Sequence, residues 1–210
     1  MFNQEGKQSM WPFCPREDQG NPNGLFAEIY RFDKKSRSFI IEIALDRYED
    51  IFSEWDPAPF KLRDIDPDLE LYLEGSSDDI PIKYPVSLSF TIPKGSKNEN
   101  IEEQARNGLK NGFTFKRYFL QNEIKSKNKQ TIIFFVIGFA FLWVATIFPE
   151  KLRESPFPSI IVEGLFIGGW VFLWEAITLI IFTTRGLLHR NRIYKRLLSS
   201  PIQFREKEER

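Results

Sequence analysis

The chain has 210 residues, 29 basic and 29 acidic, so its formal net charge is zero. A single cysteine, Cys14, excludes an intrachain disulfide, and with a single histidine, His189, a zinc site would lack its usual ligands. The neutrality hides an asymmetry: Met1–Phe115 carry 14 basic and 21 acidic residues (net −7), and Lys116–Arg210 carry 15 and 8 (net +7).

Residues 1–24 are rich in Gly, Pro, Asn and Gln and read as a loose arm. They hold no apolar stretch of signal-peptide length, so the part that follows is expected to stay on the side where it is made. Residues 25–127 read as one small soluble domain. Leu25–Phe32 and Ser38–Leu45 are β-rich runs flanking a charged turn, the pattern of a β-hairpin. Asp46–Ser53 reads as a short helix, and Pro57 and Pro59 then forbid regular structure.

Asp66-Pro67 is a helix start, with Asp as cap and Pro at the first helical position. Leu69, Tyr72 and Leu73 are expected on its buried face and Gly75 at its end. Tyr84–Ile92 alternates apolar and hydroxyl residues, as a half-buried strand does. Asn98 or Asn100 caps a long helix whose apolar positions are Ile101, Ala105, Leu109, Phe113 and Leu120. These elements predict a small α+β domain of about three antiparallel strands with helices.

Two apolar runs follow, 130–148 and 157–183, each near the twenty or so residues that cross a bilayer core. They predict a transmembrane helical hairpin. Lysines and arginines flank both outer ends, whereas the connecting loop has only Lys151 and Arg153, offset by Glu150 and Glu154. The positive-inside rule then puts both termini in the cytoplasm of a cell with this hairpin in its inner membrane. In residues 185–210, Leu187–Leu198 alternates basic and apolar side chains. It reads as an interfacial amphipathic helix, with Arg190, Arg192, Lys195 and Arg196 as lipid-headgroup contacts and a solvated tail after it.

The second run carries the sharpest candidates. Glu175 has two readings: a proton or ion path, or a carboxylate near the headgroups with a structural role, the second weighing more. Glu163 falls near the outer end, where water is close. Gly164 and Gly168 have the spacing that lets helices approach closely, and Trp170 and Trp174 share a side. Hairpin packing or a homo-oligomer would use these positions. Asp64, Asp66 and Asp68 open like a calcium loop, but Pro67 and Leu69 break the pattern. No phosphate-binding glycine loop, nucleophile elbow or zinc-protease motif occurs.

Glu163-Gly164, Ile167, Gly169-Trp170-Val171, Trp174-Glu175 and Ile193-Tyr194-Arg196-Leu197 resemble a pattern in uncharacterised two-pass prokaryotic membrane proteins. The resemblance covers about 45 residues of the chain. It departs at Ala176, where Pro is expected, and at Thr178, where an acid is expected. It implies a prokaryotic inner-membrane protein and carries no activity.

These features lead to a membrane-anchored, non-enzymatic module without cofactor or metal. Its expected partners are the lipid bilayer, a further copy of itself, and an unidentified cytoplasmic protein or small ligand, with no nucleic acid. The alternative is an oligomeric membrane effector or ion- or proton-conducting assembly, gated by the soluble domain and using Glu175.

Overall fold

The computed structural model describes residues 29–147 and 156–207. The loose arm and the first half of the predicted first strand lie outside those residues. A small mixed sheet with helices sits at one end of two long, paired helices.

The sheet has four strands in the order β1-β2-β3-β4: Arg31–Asp33, Ser38–Ala44, Val86–Ile92 and Ile202–Glu206. β1 and β2 are the expected antiparallel hairpin, turned by Asp33, whose carboxylate accepts from Lys35 N and Ser36 Oγ. The expectation of three antiparallel strands is corrected beyond that pair. β2 runs parallel to β3, and β3 parallel to a fourth strand at the C-terminal end. Parallel neighbours need a crossover, and the chain has the length for both. The first crossover runs over residues 45–85 and the second contains both long helices. The tail read as solvated therefore contributes β4, with Ile202 buried and Phe204 stacked on Phe90 at 5.3 Å.

Tyr48–Ile51 is a single 3₁₀ turn where a short helix was expected, and it buries Tyr48 and Ile51. Helix α1 spans Pro67–Asp79. Asp66 caps it as the sequence implies, accepting from the backbone of Asp68 and Leu69. It runs past Gly75, which does not end it. Leu69 and Leu73 are buried, but Tyr72 is exposed and donates to the Glu42 carbonyl.

Helix α2 spans Glu99–Ile147 without interruption, so the soluble part and the first apolar run share one helix. Asn98 caps it through Asn100 N and Ile101 N. The return path is α3, Pro156–Thr178, a π-helical turn at Leu179–Thr184, and α4, Arg185–Ser199. Both long paths contain helices long and apolar enough to cross a membrane.

The core joins the inner sheet face (Phe39, Ile41, Leu88, Phe90) to both long helices, through Leu109 and Phe113 of α2 and Ile193, Tyr194 and Leu197 of α4. The interfacial-helix reading of 185–198 is thereby corrected. The apolar side of α4 is turned into the domain core, so it is not available to lipid. An amphipathic pattern reports that a face is covered, not what covers it.

Candidate functional site

Helix α1 is acidic along one side: Glu70, Glu74 and Asp78 are spaced four apart and fall on one face. Opposite them lie basic and phenolic groups of α4 and α2. The Tyr194 hydroxyl lies 2.6 Å from a Glu70 oxygen and 3.0 Å from a Glu74 oxygen, so its one proton serves both. Arg190 grips Glu74 with Nε at 2.5 Å and Nη2 at 2.9 Å. Lys116 of α2 reaches Glu70 at 2.8 Å, and His189 pairs with Asp78. Three helices are thus tied by one acid–base ladder.

Electrostatics follow this geometry. Burial raises the pKa of Glu74, but the hydrogen bonds from Arg190 and Tyr194 and the charge of Arg190 outweigh it, and the net shift is downward. Hydrogen bonding to Glu74 raises the pKa of Arg190. Tyr194 is pushed well above the usual phenol range, first by burial and then by its two carboxylate neighbours. The inner part of the ladder therefore holds Glu74 ionised and Tyr194 protonated at neutral pH.

Arg196 lies one turn beyond the ladder and is 8% exposed. Its Nε and Nη2 donate to Ser77 Oγ at 3.1 and 2.7 Å. Its Nη1 donates to the carbonyls of Ile80 and Pro81 at 3.0 and 3.2 Å. These acceptors close the C-terminal end of α1, where carbonyls lack helical partners and cations are favoured. Burial lowers the pKa of Arg196, with the charge of Asp78 opposing it, and among the described residues no carboxylate forms an ion pair with it. The headgroup assignment is therefore corrected for Arg196, which is a core residue. Arg190 is spent on Glu74, while Arg192 and Lys195 are exposed.

The apolar half has its own register. Gly138 and Gly169 meet closely: a Cβ on Gly138 would fall 2.9 Å from the Gly169 carbonyl oxygen. Phe113 and Tyr194 meet in the domain, with ring centroids 6.4 Å apart. Phe113 to Gly138 and Gly169 to Tyr194 are equal stretches of chain. The helices therefore stay level, with Thr131 opposite Ala176. Glu175 then stands beside the lower edge of the first apolar run, not at its middle. Its side chain is exposed on the outer face of α3, as are those of Glu163, Trp170 and Trp174. Gly168 meets Phe141, whereas Gly164 faces open space. Tight packing falls on the Gly138–Gly169 pair instead.

The sequence by itself assigns no role to Glu70, Asp78 or His189. The signal for the ladder was present in the four-residue spacing of acids on α1 and the basic run near 190. Nothing in the sequence brought the two together. Each ladder acid already has a donor, so the arrangement is suited to holding helices in place. Among the described residues no three His, Cys, Asp or Glu side chains converge as metal ligands. Compared with family models, curated proteins and solved structures, the chain matches none.

Proposed function

We propose that this chain is a membrane-anchored interaction module without enzymatic activity, its sheet domain held at the cytoplasmic face of a prokaryotic inner membrane. One observation carries the reading. Both long helices run from the apolar half directly into the domain and supply its core, through Leu109, Phe113, Ile193, Tyr194 and Leu197. A domain built on the two ends of a hairpin is held at fixed height and orientation. Both ends of the hairpin enter one sheet domain, which supports termini on the same side.

The domain also exposes apolar side chains that suit binding. Trp55 is 94% exposed, and Leu62, Phe115, Tyr118 and Phe119 are exposed near or on α2. Phe119 packs on Phe115 and Tyr118 at centroid distances of 5.7 and 5.9 Å. Phe115 lies about 24 Å along the helix from Thr131, where the apolar run begins, so the patch belongs to the domain and not to the apolar half. The cleft beside it, lined by Leu62, Arg63, Asn111 and Phe115, has a volume of about 410 Å³.

A second reading draws on the outward-facing Glu175: self-assembly around a conducting path. The level of Glu175 at the edge of the apolar run favours contact with headgroups and water. The test is membrane retention under alkaline carbonate, with membrane potential recorded at rising expression of wild type and Glu175→Gln. Retention without depolarisation supports the anchor. Release by carbonate refutes it, and depolarisation abolished by Glu175→Gln at equal abundance establishes the effector.

A further inference from the structure

The neck joining the apolar half to the domain is chemically split, basic on α2 and apolar on the return path. The two helices are level throughout, so residues 178–182 of the return path lie opposite Lys129 to Lys125 of α2. On α2 this stretch carries Lys125, Lys127 and Lys129. At about 100° per residue Lys125 and Lys129, four apart, share one exposed face of α2, and Lys127 points about 200° away from each. None makes an ion pair among the described residues. On the return path the same height is apolar: Ile180, Ile181 and Phe182 are exposed, Phe182 at 72%. Arg185 follows and is also exposed.

Neither water nor hydrocarbon suits both sides. Water leaves the apolar side uncovered, and hydrocarbon strands three lysines. The glycerol–phosphate layer of a bilayer satisfies both, because acyl chains begin where phosphates end. Lysine stems can also lie along apolar surface with their charge in the headgroups.

We propose that this neck is a binding surface for anionic phospholipid headgroups: Lys125, Lys127 and Lys129 hold the phosphates, and Ile181 and Phe182 sit among the upper acyl carbons. The proposal rests on the membrane-spanning reading and deepens it by naming the lipid class. It also adds the lysines of α2 to the headgroup contacts and takes away Arg190 and Arg196, which serve the domain. Each lysine is expected to enrich anionic lipid locally on the order of fivefold at low salt.

The test uses the full chain in nanodiscs of phosphatidylcholine alone or mixed with phosphatidylglycerol. The expected result is an unfolding midpoint several degrees higher with phosphatidylglycerol, shrinking as salt is added. The triple change Lys125→Gln, Lys127→Gln, Lys129→Gln should abolish the difference, and the corresponding triple change to Arg should keep it. An equal midpoint in both lipids, or a difference that survives the Gln changes, overturns the proposal. Carbonate retention of the same proteins separates the two claims. Retention without lipid preference sinks only the lipid surface, whereas release sinks the spanning reading. Single cysteines in a Cys14→Ser background give an independent check. Lys125→Cys should react with a water-soluble maleimide and Phe182→Cys should be protected. Equal labelling of both overturns the split neck.

Discussion

Arg196→Met separates two accounts of the segment after the hairpin. If Arg196 touched headgroups, truncating its charge would change stability by at most about 0.5 kcal/mol, as for most surface positions. The structure gives a different magnitude. Arg196 is 8% exposed, and its donors reach Ser77 Oγ and the carbonyls of Ile80 and Pro81. Met fills much of the stem but donates nothing, so these acceptors are left without partners at the end of α1. Recovering the desolvation of the guanidinium offsets part of the loss. Orphaned acceptors cost about 1–3 kcal/mol each when fully dry, and the net cost is expected near 3 kcal/mol. For a domain of this size that is a fall in unfolding midpoint of roughly 10 °C. The assay is thermal unfolding of the intact protein in one detergent, followed by tryptophan fluorescence. A fall below about 2 °C would refute the placement of Arg196 in the core.

Other consequences are measurable in the same preparation. Tyr194 has a raised pKa, so its contribution is present below the unfolded phenol value near 10 and is lost as pH rises above it. Wild type should therefore lose stability in alkali through this group, and Tyr194→Phe should flatten that limb while lowering neutral stability by about 1–2 kcal/mol. Glu74 has a lowered pKa, so its contribution is present above the unfolded value near 4.3 and fades as pH falls below it. Glu74→Gln should remove that acid dependence in a pH titration of the midpoint. A Cβ at Gly169 would fall 2.8 Å from Leu142 Cγ and 3.0 Å from the Gly138 carbonyl, whereas nothing lies within 4 Å of one at Gly164. Gly169→Ala should cost about 1–3 kcal/mol, and Gly164→Ala should be neutral or slightly stabilising, in a denaturation comparison of the two. A fragment ending at residue 130 lacks α4 and β4, and so loses Ile193, Tyr194, Leu197 and Ile202 from the core. It should fail to fold by circular dichroism and proteolysis, and a stable, protected fragment would contradict the shared core.

Much of the fold was legible wherever the signal was local. The Asp66 and Asn98 caps, the strand at Val86–Ile92 and the helical spacing of Ala105, Leu109 and Phe113 each rest on neighbours in sequence, although Ser87 and Ser89 are buried too, so the strand expected to be half-buried is covered on both faces. The sheet's order was not legible, because pairing β3 with β4 closes a loop of more than a hundred residues. Ile202 and Phe204 alternate with Gln203 and Arg205, but two apolar residues after Pro201 do not distinguish a strand from a tail. Gly75 misled for a related reason: α1 is held by tertiary partners past that point, Ser77 among them through Arg196. The ladder is not legible because the α4 groups lie more than a hundred residues from their α1 acids, and charge alone at 189–196 suits lipid as well as protein.

The parts that were illegible are those that join domain to hairpin. Had α4 lain on a membrane, α1 and the sheet would hang from α2 alone, free to swing on one helix. With α4 in the core, Glu70 is held from both long helices, by Lys116 of α2 and Tyr194 of α4. A shift of α4 along α2 would have to break the Arg190–Glu74 pair and the Arg196 contacts together. A partner binding α1 can therefore act on the hairpin through this ladder, and one binding the loop that precedes it can act on α2 directly, where Asn111 donates to the Lys61 carbonyl at 2.8 Å and Gly108 and Gly112 pack against Phe60 and Ile65. Conversely, a change in the apolar half reaches the sheet through the ladder and through the core side chains Leu109, Phe113, Ile193 and Leu197. Mechanical unity of this kind supports a module whose position at the membrane is part of its function, because an anchor serving only for attachment requires no second helix in the domain core.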